Sequence, residues 1–82
     1  MKKENKMKEL LEYIVKSLVE DENAVVVTET EENDETIYHV TVNPDDMGRV
    51  IGKSGNIASG IRAIAKSIAA RQHKKVFVKF GE

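Results

Sequence analysis

Gly52-Lys53-Ser54-Gly55 is the part of this 82-residue chain best equipped for chemistry. Two glycines bracket a cation and a hydroxyl, so a ligand can approach main-chain N–H groups without meeting a Cβ atom. Lys53 supplies a full positive charge, and Ser54 a small donor that leaves the approach open. The helix-period segment that follows, with Ile57, Ile61, Ile64 and Ile68 expected on one face, would aim the positive pole of its dipole at the same place. This is chemistry for holding an anion. Between Met47 and Gly81 there are eight Lys or Arg residues and no Asp or Glu. That surround suits a polymer carrying many negative charges.

The same residues admit two other readings. A GxxG pair can do no more than permit a sharp bend between helices. The run Gly48-Arg49-Val50-Ile51-Gly52-Lys53-Ser54 also resembles a nucleotide P-loop, G-x4-G-K-[S/T]. Its spacing is one residue short, however, and Met47 stands where that motif needs glycine. Asp45 and Asp46 precede the turn rather than lying on a later strand. The apolar step Val50-Ile51, the placement between helices and the basic half-chain favour the polyanion clamp.

Elements on either side must position the turn. Met7, Leu10, Leu11, Ile14, Val15, Leu18 and Val19 recur at helical spacing and predict an amphipathic helix from about Asn5 to Val19. The β-branched run Ala24–Thr28 predicts a first strand. Glu29 to Glu35, with turn chemistry at Asn33-Asp34, is expected to be a loop. Thr36–Val42 alternates as a second strand with Tyr38, Val40 and Val42 on one face, and Asn43-Pro44 ends it. Asp45 or Asp46 is the expected N-cap of a short helix through Met47, Val50 and Ile51. A second helix follows from about Asn56 to Gln72, with Arg71, His73 and Lys74 near its negative pole. Lys75–Phe80 forms the last strand. The order α-β-β-α-α-β implies one α+β domain over residues 1–82. Its first two strands form a hairpin, and the helix pair crosses over to lay the last strand parallel to the second. The result is a three-stranded mixed sheet with helices packed on one face.

Composition removes several classes of function. The apolar fraction is 40%, charged residues make up 33%, and there is no cysteine. A packed core is therefore available, while a disulfide framework or thiolate metal site is not. His39 and His73 are isolated, and no Ser/His/Asp set or catalytic carboxylate pair assembles, so neither an enzyme nor a metal or cofactor site is expected. The amino-terminal residues read as neither signal peptide nor membrane span, which implies a cytoplasmic protein with no membrane partner and no small-molecule substrate. The net charge of −1 hides segregation: residues 20–46 hold ten acids and no base, and residues 47–82 eight bases and one acid. Exposed charges more than about 10 Å apart are largely screened from each other, so the distribution outweighs the total.

Tyr13, Tyr38, Phe77 and Phe80 are expected to serve packing rather than base stacking, since positions 77 and 80 cannot share a strand face. The acidic run Glu29, Glu31, Glu32, Asp34 and Glu35 reads as a solvated hairpin tip. It could also repel an anionic ligand at the far end of a groove, or meet a basic partner. Gly60, near Ser59, Ala63 and Ser67, permits close helix contact either with the protein's own sheet or between subunits.

Val50-Ile51-Gly52-Lys53-Ser54-Gly55 resembles the signature of the KH domain, an RNA-binding module whose GxxG loop clamps four nucleotides. The element order is similar to the bacterial, type II, arrangement, and the likeness to small single-domain KH proteins of the KhpA type extends along nearly the whole chain. The resemblance implies that Gly52, Lys53, Ser54 and Gly55 hold the backbone of single-stranded RNA. It further implies an apolar base groove including Val50, Ile51, Ile57, Ala58 and Ile61, with Asn56 opening the helix and Arg49 and Arg62 flanking. Ala58 stands where many KH domains carry a larger aliphatic residue. Also implied are a homodimer, or a heteromer with a larger KH-containing RNA-binding protein, and a role as post-transcriptional regulator or RNA chaperone linked to cell division and envelope growth. A protein-interaction module that keeps the fold with little RNA affinity is the alternative.

Overall fold

The computed structural model describes residues 6–81. Residues 1–5, with the expected helix start at Asn5, and the terminal acid Glu82 lie outside the described residues. Helix α1 spans Lys6–Leu18 and buries Leu11 and Val15, one turn apart. Strands β1 (Val26–Glu32) and β2 (Glu35–Thr41) pair antiparallel. Helices α2 (Met47–Ile51) and α3 (Asn56–Arg71) then carry the chain to β3 (Lys75–Phe80), which runs parallel to β2. The sheet order is β1-β2-β3, so the α+β fold holds a three-stranded mixed sheet with β1 and β3 as its edges.

The hairpin differs from the sequence expectation. Residues 29–32 are strand rather than loop, and residues 22–24 form a 3-10 turn before it. Only Asn33 and Asp34 form the connection, both with positive φ (51° and 66°), while Glu32 pairs with Glu35. Two consecutive left-handed residues give a turn whose twist matches the strands, so pairing continues up to it despite the acidic sequence. The hairpin tip lies at the start of β2 and α2 follows its end. Seven residues of strand, roughly 20 Å, therefore separate the acidic tip from the level at which α2 begins.

Val27, Tyr38, Val40, Val76 and Val78 are buried on one sheet face, in register with one another, and share a single core with Leu11, Val15, Val50, Ile61, Ala65 and Ala69 from the helices. The isoleucine stripe expected on α3 is buried only in part: Ile61 is in the core and Ile68 half-buried. The helix's core-facing residues are Ala58, Ile61, Ala65 and Ala69, while Ile57 and Ile64 are exposed. Alanines let the helix axis approach the sheet closely, which turns the bulkier neighbours one position earlier toward solvent.

Gly60 lies on that outer side, and a Cβ built there meets nothing within 4 Å. The sheet-packing reading of this glycine is thereby excluded. Gly60→Ala should raise the unfolding free energy by about 0.5–1 kcal/mol, read as a higher urea midpoint at unchanged slope. A lower midpoint would mean that another surface packs against this one.

Candidate nucleic-acid interface

The Gly52–Gly55 turn owes its shape to three left-handed residues. Gly52 has φ 79° and ψ 175°, Ser54 φ 57° and ψ 25°, and Gly55 φ 77° and ψ 12°. The glycines differ in role. A Cβ on Gly52 would lie 2.6 Å from Cγ1 of Ile57, so this position is closed by packing; a Cβ on Gly55 would meet nothing within 4 Å. Gly55 is thus the place where a ligand can come near. The turn is closed by the N–H groups of Gly52, Gly55 and Asn56, which donate to Gly48, Gly52 and Lys53. The N–H groups of Lys53 and Ser54 make no such bond with other elements, and both side chains are exposed. Lys53 has no ion-pair partner among the described residues. Two N–H donors without a partner among the described residues, an exposed ammonium and an exposed hydroxyl stand at the head of a 16-residue helix, an arrangement fit for anionic oxygens.

The expected groove is less open than its residue types implied. Val50 has no exposed surface, and Ala58 and Ile61 retain only 2% and 5%. These three side chains belong to the core and shape the floor from behind, because α2 and α3 pack their apolar faces onto the sheet. Ile51 is half-buried and Ile57 is 37% exposed, and Asn56 is exposed beside them. They are the expected groove residues that a ligand can touch.

Both flanking arginines are engaged within the protein. Arg49 pairs through Nη2 with Glu20 at 3.1 Å and through Nε with Asp46 at 3.2 Å. Arg62 donates from Nε to the Val78 carbonyl at 2.9 Å, and its guanidinium lies 5.6 and 5.5 Å from the Phe77 and Phe80 ring centres. Of the other aromatics, Tyr38 is buried as expected; Tyr13 is exposed and packs nothing into the core. A broad, open concavity lies at the other end of the sheet. Glu29, Glu31, Lys74 and Lys75 line it with both signs of charge, which leaves it no preference for an anion.

The pattern of the KhpA/KhpB KH domain matches residues 8–80. The chain belongs to this family. The RNA-binding protein KhpA of Clostridium perfringens is 47% identical over 73 residues, covering 89% of this chain and 97% of that protein. KhpA of Oceanobacillus iheyensis is 43% identical over 72 residues, covering 88% and 96%. Among solved structures, Aquifex aeolicus Era is similar in fold, with a TM-score of 0.62 at 15% identity. That likeness covers 90% of this chain and 29% of the Era chain.

In this KH domain the residue that sequence reasoning undervalued is Asp46. It is buried (3% exposed) and makes no cap bond to α2. Instead its carboxylate accepts from the N–H groups of Glu20 at 3.2 Å and Asp21 at 3.1 Å, and from Arg49. Asn43 caps the 3-10 turn Pro44–Asp46 that leads into α2, its side chain accepting from the N–H of Asp45 at 2.9 Å. The signal was the Asp45-Asp46 pair itself, since only one of two adjacent carboxylates can serve a cap.

The backbone N–H of Asp21, foremost, and then that of Glu20 and the Arg49 guanidinium hold the Asp46 carboxyl below its usual range; desolvation opposes them and loses. A depressed folded-state pKa means that the unfolded chain binds the proton more readily. This contribution to stability is complete above about pH 5 and fades as pH falls below the ordinary aspartate value near 3.9. Denaturation of the parent and Asp46→Asn between pH 7 and pH 2.5 should show their stability difference shrinking in the acid range. A constant difference would mean that the carboxylate's charge is not what matters.

Proposed function

We propose that this chain binds single-stranded RNA by seating its sugar–phosphate backbone on the Gly52–Gly55 turn, as a non-enzymatic KH module of the type II arrangement. The observation that carries the reading is the exposed turn itself: N–H groups at Lys53 and Ser54 without a partner among the described residues, an exposed ammonium and open space over Gly55. The relatives described as RNA-binding proteins support it. Gly52, Lys53, Ser54 and Gly55 hold phosphate, and Ile51, Asn56 and Ile57 meet the first bases. The acidic hairpin, set at the other end of β2, does not wall off the turn. No helix among the described residues is long and apolar enough to cross a membrane. The setting that fits this reading is cytoplasmic regulation or chaperoning of RNA, and the envelope-growth and cell-division links implied by the resemblance are where targets are to be sought.

A specific observation favours self-association beside this activity. Ile64 is exposed on the outer side of α3 beside Gly60 and Ala63, a face that a second subunit or a larger KH protein would cover. Two weak clamps on one RNA would then gain avidity.

The direct test is a salt titration of binding to a short single-stranded RNA. Two to four neutralised phosphates predict a log–log slope of roughly −1.4 to −2.8. A flat response would reject the phosphate clamp.

A further inference from the structure

The geometry points to Arg62 as the residue that sets base preference, selecting guanine or cytosine over adenine or uracil. This rests on the RNA-binding reading above and adds what that site reads.

Strand β3 pairs only with β2, so its other side is a free edge. The N–H of Gly81 donates to the carbonyl of Val40 at 2.9 Å, which fixes the alternation. Gly81, Lys79 and Phe77 turn their backbone toward β2; Phe80, Val78 and Val76 turn theirs to the open edge. Arg62 stands beside that edge on α3, seven residues after Gly55, or roughly 10 Å along the helix. A strand leaving the turn along α3 passes it next.

At the edge, Arg62 does two things at once. Its Nε donates to the Val78 carbonyl, which ties the side chain to the strand edge. The same bond, with the Phe77 and Phe80 ring centres 5.6 and 5.5 Å away, restrains the guanidinium. Of its five N–H donors, the four on the two terminal nitrogens have no acceptor among the described residues. The edge therefore carries a rigid donor fork.

Only some bases answer a fork of donors. Guanine presents O6 and N7 side by side, and cytosine O2 and N3. Adenine has an amino group next to each of N1 and N7, and uracil has N3–H between its two carbonyls. Neither can accept two parallel bonds.

The test uses the full chain and four RNA hexamers, each with two uridines at either end and a central pair of guanines, cytosines, adenines or uridines. Binding is read by fluorescence anisotropy at fixed salt. The guanine and cytosine hexamers should bind at least about fivefold more tightly than the adenine one, the lower end of what a bidentate contact discriminates. Arg62→Lys keeps the charge and loses the fork. It should bring the four probes to within about twofold of one another, whatever the overall affinity. Equal binding of all four by the parent, or a preference that survives in Arg62→Lys, overturns the assignment. If equal binding is lost when Lys53 and Ser54 are both replaced by aspartate, the clamp stands and only the role of Arg62 falls. If the parent binds none of the four, clamp and preference fall together.

Discussion

Gly52→Ala should lower the unfolding free energy by about 2–5 kcal/mol, the sum of a backbone conformation essentially reserved for glycine and an overpacked contact. At φ 79° and ψ 175° an alanine is strained whatever its surroundings, and its methyl would stand 2.6 Å from Cγ1 and 2.9 Å from the backbone nitrogen of Ile57. The backbone atom cannot swing aside as a side-chain tip can. Domains of this size have about 5 kcal/mol to lose, so a large fraction of the variant would be unfolded at room temperature. Gly55→Ala is the internal control. It shares a positive φ but has open space above it, and should cost only about 1–2 kcal/mol. Urea denaturation of the two variants side by side decides the matter: equal losses would show that strain alone, and not the Ile57 contact, makes Gly52 necessary.

Replacing Lys53 and Ser54 together by aspartate should weaken RNA binding more than about 100-fold while leaving the thermal transition nearly unchanged. Three units of charge change at the point of phosphate contact, and each is worth about 1 kcal/mol or more at 4 Å even at the dielectric constant of water. The fold should not notice. Both side chains are exposed, Ser54 sits at φ 57° where aspartate is among the better tolerated residues, and acids at the head of α3 suit its dipole. Anisotropy with a single-stranded RNA, paired with a melting curve, separates a lost site from a lost fold. Retention of binding within threefold of the parent would remove the turn from the mechanism.

Elements with sharp apolar contrast were readable from the chain alone. The α1 stripe, the Tyr38 and Val40 face of β2, the bounds of β3 at Lys75–Phe80 and the Asn33-Asp34 turn all lie where local pattern puts them. The extension of β1 through Glu32 was not readable. Thr28 to Glu31 alternates threonine with glutamate and Glu32 follows, which carries no apolar contrast, and only the pairing with β2 makes this stretch a strand. On α3 the large isoleucines drew attention, whereas the helix buries Ala58, Ala65 and Ala69 beside Ile61.

Site residues divide along the same line. The turn's glycines follow from local conformation, and their placement could be anticipated from four consecutive residues. What Arg49, Asp46 and Arg62 touch could not, because their partners are Glu20, Asp21 and the Val78 carbonyl, each remote in sequence or supplied by main chain. The resemblance to KH domains implied a groove place for Val50 and Ile61, and both are buried. Whether an aliphatic residue faces a ligand or the interior depends on helix rotation about its axis, which an apolar-rich segment leaves undetermined.

Asp46 fastens the main chain of residues 20–21 to the foot of α2. A helix of five residues cannot sustain itself in water, so its rigidity is borrowed from the connection that leaves α1. The amino-terminal helix and the glycine turn should accordingly open as one cooperative unit. Amide exchange around the turn would then report the lifetime of that distant seam, and trimming the chain from its amino end would loosen the turn while touching none of its atoms.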